Sequence, residues 1–162
     1  MRSRDEALAA VRERLERTAA DQDPQWVLAD QALADAGALA AAADPARDFD
    51  TAEVLGTFCW FRFAAQGQES GQDDLTAAAC FFASVFAANP GAVPEPLRPL
   101  YAQPGETFDP AAAGTRGRAL FSVYEDTGEL PLAWEAVVFF RAAVVATDNH
   151  IQAMTTWPNA CR

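Results

Sequence analysis

Hydrophobic positions recur every three or four residues in one segment of this chain after another, and strict alternation at two-residue spacing is almost absent. Such a period belongs to amphipathic helices that turn one face to a shared core. Ser3 followed by Glu6 is a capping-box signature, and Leu8, Val11, Leu15 and Thr18 then fall on one face of a first helix. Asp23-Pro24 sets a capping carboxylate before a proline, opening a second helix. It carries Trp26, Val27, Leu33 and Leu39, and its alanine run ends before Asp44-Pro45. Asp50 with Glu53 predicts the start of a third helix, holding Val54, Leu55, Phe58, Trp60, Phe61 and Phe63. Residues 66–72, rich in Gly, Gln and Ser, read as the loop that ends it. A fourth helix is predicted from Asp73 or Asp74 through Leu75, Phe81, Phe82, Val85 and Phe86 to Asn89-Pro90. Six prolines between Pro90 and Pro110 leave room for no more than a short helix near 96–102. Asp109-Pro110 opens a further helix that stops near Thr127-Gly128, and a last one runs from Leu130 to about Thr147.

The expectation is therefore a single all-α domain over 1–162 with about six helices in hairpin order. Its parts are a charged N-terminal helix over 1–20, helix pairs over 24–90, a Pro-rich connection over 91–109, a helix pair over 110–148 and a tail over 149–162.

Composition narrows the function. At 162 residues and 51% hydrophobic, the chain has the length and apolar content for one buried core. Much of that content is alanine, so 11 Phe, 4 Trp and the Leu and Val set must supply most of the burial. The net charge of −11 repels phosphates, which argues against nucleic acid or an anionic membrane as the main ligand. All 12 basic residues are arginine. Those at Arg2, Arg4, Arg12, Arg14 and Arg17 are interleaved with Asp5, Glu6, Glu13 and Glu16, as on a solvated, ion-paired helix. Cys59 and Cys80 lie among aromatic and small apolar residues like core thiols, and Cys161 is incidental to the fold. The charged start lacks the apolar run of a signal peptide, and no stretch approaches the ~18–20 apolar residues of a membrane span, so the cytoplasm is the expected location.

Two segments share a spacing. Ala78, Phe82, Val85 and Pro90 follow at intervals of four, three and five, and Ala136, Phe140, Ala143 and Asp148 repeat those intervals 58 residues later. Leu55-Gly56 precedes the first set, and Gly117 with Leu120 precedes the second. Small, aromatic, small and proline at this spacing resembles the second helix of a tetratricopeptide repeat, with Leu-Gly in the first. The stretches 124–130 and 139–147, with Trp60-Phe61-Arg62 and 71–75, resemble the divergent repeats of actinobacterial proteins, where such arrays accompany signalling or defence domains. The resemblance spans about residues 48–150. It implies a right-handed stack of antiparallel helix hairpins, a fragment of an α-solenoid; a plain irregular helical bundle is the alternative.

No catalytic constellation is legible. His150 is the single histidine and follows Asp148-Asn149 near a helix end, where capping or exposure accounts for it. No nucleophile elbow or phosphate-binding glycine loop is present, and no cofactor or metal site is expected. Asp44, Asp48 and Asp50 lack the glycine and glutamate of a calcium loop, and Asp73-Asp74 reads as a helix cap. Arg62 and Arg141 each interrupt an aromatic segment; they pair with a carboxylate such as Glu53 or Glu135, snorkel to solvent, or hold a ligand.

The repeat resemblance implies a groove lined by first helices, with Glu53, Thr57, Trp60 and Phe61 on one and Ser122 and Glu125 on another. Acids beside aromatics suit a protein or peptide partner bearing Arg or Lys next to an apolar anchor. An interaction module that is not an enzyme is the first reading, and its open ends imply self-association or an absent partner domain. A small helical ligand-binding protein or enzyme with a Phe- and Trp-lined pocket is the second.

Overall fold

The computed structural model describes residues 2–102 and 109–156, with backbone alone at Ala102, Pro110 and 148–156. Asp148 and His150 thus have no described side chain, and Cys161 with the end of the expected tail lies outside the described residues. Every regular element among the described residues is helical.

Helix α1 (Arg4–Asp21) starts at the predicted capping box: Ser3 Oγ accepts from Glu6 N–H, and Glu6 accepts from Ser3 N–H. It buries Ala7, Leu8 and Val11. The Asp23 carboxylate accepts from Gln25 N–H and opens α2 (Gln25–Leu28). The expected second helix is broken at Ala29, which is extended (ψ 148°), and resumes as α3 (Asp30–Ala42). The break has a physical cause. The carbonyls of Trp26 and Val27, which a continuous helix would use internally, instead accept from the guanidiniums of Arg14 and Arg62.

Helix α4 (Phe49–Ser70) is capped by Asp48, not by the predicted Asp50; Asp48 accepts from the backbone N–H and the hydroxyl of Thr51. The predicted loop at 66–72 shrinks to a break at Gly67, whose φ of 80° is cheap only for glycine. A turn later Gly71 N–H bonds to Gly67 O, and α5 (Gln72–Ala88) follows directly. The Pro-rich connection contains single 3-10 turns at Pro90–Ala92 and Glu95–Leu97 and one α-helical turn, α6 (Pro99–Ala102). Asp109 caps α7 (Pro110–Thr127), which ends on Gly128 at φ 72°. Helix α8 (Leu130–Thr156) outruns its predicted end because no glycine or proline interrupts the sequence before Pro158. Among the described residues eight α-helices thus stand where about six were expected: α2, a turn of four residues, is split from α3, and α6 is the short helix allowed near 96–102.

Two hairpins, α4 with α5 and α7 with α8, pack through α5, which touches both helices of the second pair. Helix α8 also packs along α3, and α3 along α1, so the last helix closes onto the first part of the chain. The core between them holds Leu39, Leu55, Phe58, Phe81, Phe82, Phe139 and Val145, all fully buried. Glycines set the close approaches. A Cβ on Gly56 would lie 3.0 Å from the Phe82 ring, and one on Gly117 would lie 2.8 Å from the Phe140 ring, so the same seat recurs in both hairpins. Gly37 on α3 likewise seats Trp134 of α8, where a Cβ would fall 2.7 Å from the indole.

The sequence expectation of no membrane-length segment needs one correction. Leu130–Thr147 of α8 is 18 residues with mean hydropathy 1.5, long and apolar enough by length and composition to cross a membrane. Glu135 and Arg141 interrupt its apolar run.

Because the Phe140 ring already fills the space over Gly117, Gly117→Val should destabilise the fold by about 1–3 kcal/mol through overpacking, and Gly56→Val should do the same over Phe82. Urea denaturation of each variant checks this; a stability equal to that of the parent would contradict the close seating.

Candidate functional site

The strongest concentration of buried polarity lies where the two hairpins meet. Arg62 of α4 and Asp74 of α5 are 6% and 4% exposed. Arg62 Nε donates to Asp74 Oδ1 at 3.1 Å, and its Nη1 donates to the carbonyl of Val27 at 3.2 Å. Gln66, one helical turn after Arg62, donates to the other Asp74 oxygen at 2.6 Å. From α8, Glu135 Oε1 lies 3.5 Å from Arg62 Nη2 and 3.9 Å from Arg116 Nη2 of α7. Arg116 Nε is buried 3.3 Å from Asp73 but misaligned for a hydrogen bond. One guanidinium thus ties together α2, α4, α5 and α8.

Burial, only partly offset by Arg62, pushes the Glu135 carboxyl above its ordinary range. Burial also raises the thiol of Cys59, with Asp74 adding to the effect, and pushes Cys80 up to about 12. Neither cysteine supplies a thiolate near neutral pH.

Two expectations are corrected by this geometry. Arg62 is not a free ligand-pairing residue, because carboxylates and a carbonyl already occupy its donors; of the partners suggested from sequence it meets Glu135 and not Glu53. Asp74 is not a cap but the counter-ion of Arg62. A carboxylate twelve residues after a mid-helix arginine was the signal available in the sequence, with the intervening break at Gly67 hiding their approach.

A second cluster fastens the N-terminus. Asp35 on α3, 3% exposed, accepts from Arg14 Nε at 2.7 Å, from Arg2 Nη1 and from Gln31. Burial raises its carboxyl, but hydrogen bonds from Arg14 and Arg2 outweigh this and hold it below the usual range. Arg4 grips Asp48 with two hydrogen bonds of 2.8 and 2.9 Å, lowering that carboxyl and joining α1 to the cap of α4. The arginines read as a solvated face therefore do tertiary work at Arg2, Arg4 and Arg14.

The six groove candidates divide between two places. Glu53 is exposed, while Thr57, Trp60 and Phe61 are half-buried on α4. The Thr57 hydroxyl is spent on the Glu53 carbonyl, and Trp60 stacks obliquely on Phe63 with centroids 5.5 Å apart. Phe61 lines an open cleft against Thr18, Gln22 and Pro24 at the end of α1. Ser122 and Glu125 are exposed on α7. Helix α5 packs on both α4 and α7 and stands between them, so the two sets share no packed interface. Arg141 is half-buried on α8.

Sequence reading missed the apolar surface of α8. Leu130, Val137 and Val144 recur every seven residues and so share a face. Leu130 is 61% exposed, Val144 46%, and Val137 half-buried. On α7, Phe121 is 42% exposed and its ring leans on Tyr124 at 5.8 Å. Acidic Glu125, Asp126 and Glu129 are exposed where α7 turns into α8. Among the described residues no group of His, Cys, Asp and Glu is arranged to hold a metal ion. No family model, curated protein or solved structure matches this chain.

Asp74→Ala leaves the buried Arg62 charge without its main partner and should cost about 3–5 kcal/mol, whereas Arg62→Met with Asp74→Leu should recover most of that loss. Denaturant titration of the single and double variants tests it, and a loss under about 1 kcal/mol for Asp74→Ala contradicts a buried pair.

Acidification provides a second test. Depressed carboxyls such as Asp35 and Asp48 contribute stability that is complete above the unfolded value of about 3.9 and drains as pH falls through their folded values. Glu135, being raised, has the opposite sign: its burden is lifted as pH falls through its folded value. The stability gap between the parent and Asp35→Asn should therefore be widest near neutral pH and close in acid; a gap independent of pH would remove the ionic account of Asp35.

Proposed function

We propose that this chain is a helical interaction module that docks a protein segment on the outer face of α8. The observation that carries the reading is the exposure of Leu130 and Val144 on one face of α8, with Val137 between them half-buried against the core and only 33% of the Leu130–Thr147 segment buried. Apolar residues at seven-residue spacing on a helix are the half of a seam that a second helix completes. The acids Glu125, Asp126 and Glu129 lie at the Leu130 end, so the matching segment is an amphipathic helix with Arg or Lys beside its apolar anchors.

Ser122 and Glu125 belong to this docking region in the proposal, and Glu53, Thr57, Trp60 and Phe61 stand apart from it. The matched seats of Phe82 on Gly56 and Phe140 on Gly117 support descent from helix-hairpin repeats of the tetratricopeptide type. The packing of α8 on α3 favours a closed bundle over an open stack, since solenoid units touch only their neighbours. The binding role itself rests on the surface and not on the fold's ancestry.

A fluorescently labelled amphipathic helix with a leucine face and lysine flanks should bind the full chain, and its glutamate-flanked counterpart should bind at least tenfold more weakly. Val144→Glu should abolish binding, while Glu53→Ala should leave it unchanged. Equal binding of both peptides, or binding indifferent to Val144→Glu, would overturn the proposal; anisotropy titration reads each outcome.

A further inference from the structure

A cavity of about 400 Å³ opens between α3, the N-terminal segment and α8. Its walls are Ala34, Ala38 and Ala41 of α3 and the indole of Trp134, with Arg2 and Asp35 at one end. The size is that of a small-molecule site, and its mix of apolar wall and few polar groups is typical of one. Trp134 is a rigid wall, because its Cβ and ring are already pressed onto Gly37.

The polar end identifies the sign of the ligand. Asp35 is a poor seat for a further cation because its charge is already compensated: Arg2 and Gln31 share one of its oxygens and Arg14 holds the other. Two guanidiniums share this one buried carboxylate, and Glu6, the other acid near Arg2, is solvent-exposed and accepts from Ser3 N–H, so the cavity end keeps a positive excess in a chain of net charge −11. Arg14 is largely enclosed, its side chain 17% exposed, whereas that of Arg2 is 49% exposed and borders the cavity. A guanidinium has five N–H donors in a planar fork, and Arg2 has donors to spare beyond its bond to Asp35.

We propose that this cavity binds a small amphipathic monocarboxylate, its apolar body between the α3 alanines and Trp134 and its carboxylate on Arg2. The walls are side chains of helices whose backbone donors are used internally, so a peptide with its own amides would leave them unsatisfied there. A free alkyl or aromatic acid leaves nothing unpaired. The cavity is argued from its own walls and does not rest on the α8 docking row, although Trp134 stands one turn from Leu130 and Val137 on that helix.

The test is calorimetric titration of the full chain with octanoate, octanol and octylamine at one ionic strength. Octanoate should bind most tightly and octylamine least. Arg2→Gln should weaken octanoate about tenfold, the scale of one charge-assisted hydrogen bond, and leave octanol unchanged. Ala38→Leu should obstruct the cavity and abolish octanoate binding, with an unchanged thermal melt showing that the fold persists. Octylamine binding as tightly as octanoate, octanoate affinity indifferent to Arg2→Gln or Ala38→Leu, or no octanoate binding at all would each overturn the assignment.

Discussion

A guanidinium withdrawn from water is the constraint around which this fold is arranged. Arg62 is buried, and a charged, many-donor group withdrawn from water demands partners from several directions at once. Asp74 supplies one from the following helix, Val27 a carbonyl from α2, and Glu135 a carboxylate from the distant α8. Satisfying it draws α2, α5 and α8 onto the middle of α4. Apolar packing of Phe58, Phe81, Phe82 and Phe139 provides the greater part of the driving force, but such contacts are non-directional. The buried charge supplies direction.

The same logic, moved toward the surface, joins α1 to the body. Arg14 and Arg2 converge on Asp35, and Arg4 reaches Asp48 across forty-four residues of sequence. Arginine suits these roles because its rigid planar fork matches a carboxylate bidentately, whereas an ammonium acts as a compact point charge. A helix that buries only Ala7, Leu8 and Val11 as apolar anchors is thereby held in register.

Much of the local structure was legible because its determinants are local. Ser3 with Glu6, Asp23 before Pro24 and Asp109 before Pro110 act within one turn of their own residues. Gly56 was legible as the Leu-Gly of the repeat resemblance, but the ring it seats, Phe82, is given only by the assembled fold. What escaped depends on distance in sequence. Nothing near Ala29 announces a break, because the groups that cause it are Arg14 and Arg62. Asp50 and Asp48 are equivalent as caps until Arg4 chooses between them. The candidate groove failed to close on itself for the same reason: periodicity names a helix face but not its neighbour, and α5 is the neighbour that separates α4 from α7. The exposed row on α8 was present in the sequence, but exposure is a property of the assembled fold.

The seat of Trp134 on Gly37 also bears on the order in which the chain assembles. Helix α3 finds its main partner about a hundred residues downstream, so a chain emerging from its N-terminus carries that face uncovered until α8 exists. The hairpin of α4 and α5 closes locally and early, at small loop-closure cost. Among the described helix pairs, α3 with α8 closes the longest loop, so loop-closure entropy favours its forming after the local hairpins. Until then the alanine face of α3 is open to other hydrophobic surfaces, and crowding of nascent chains is the circumstance in which misassembly begins.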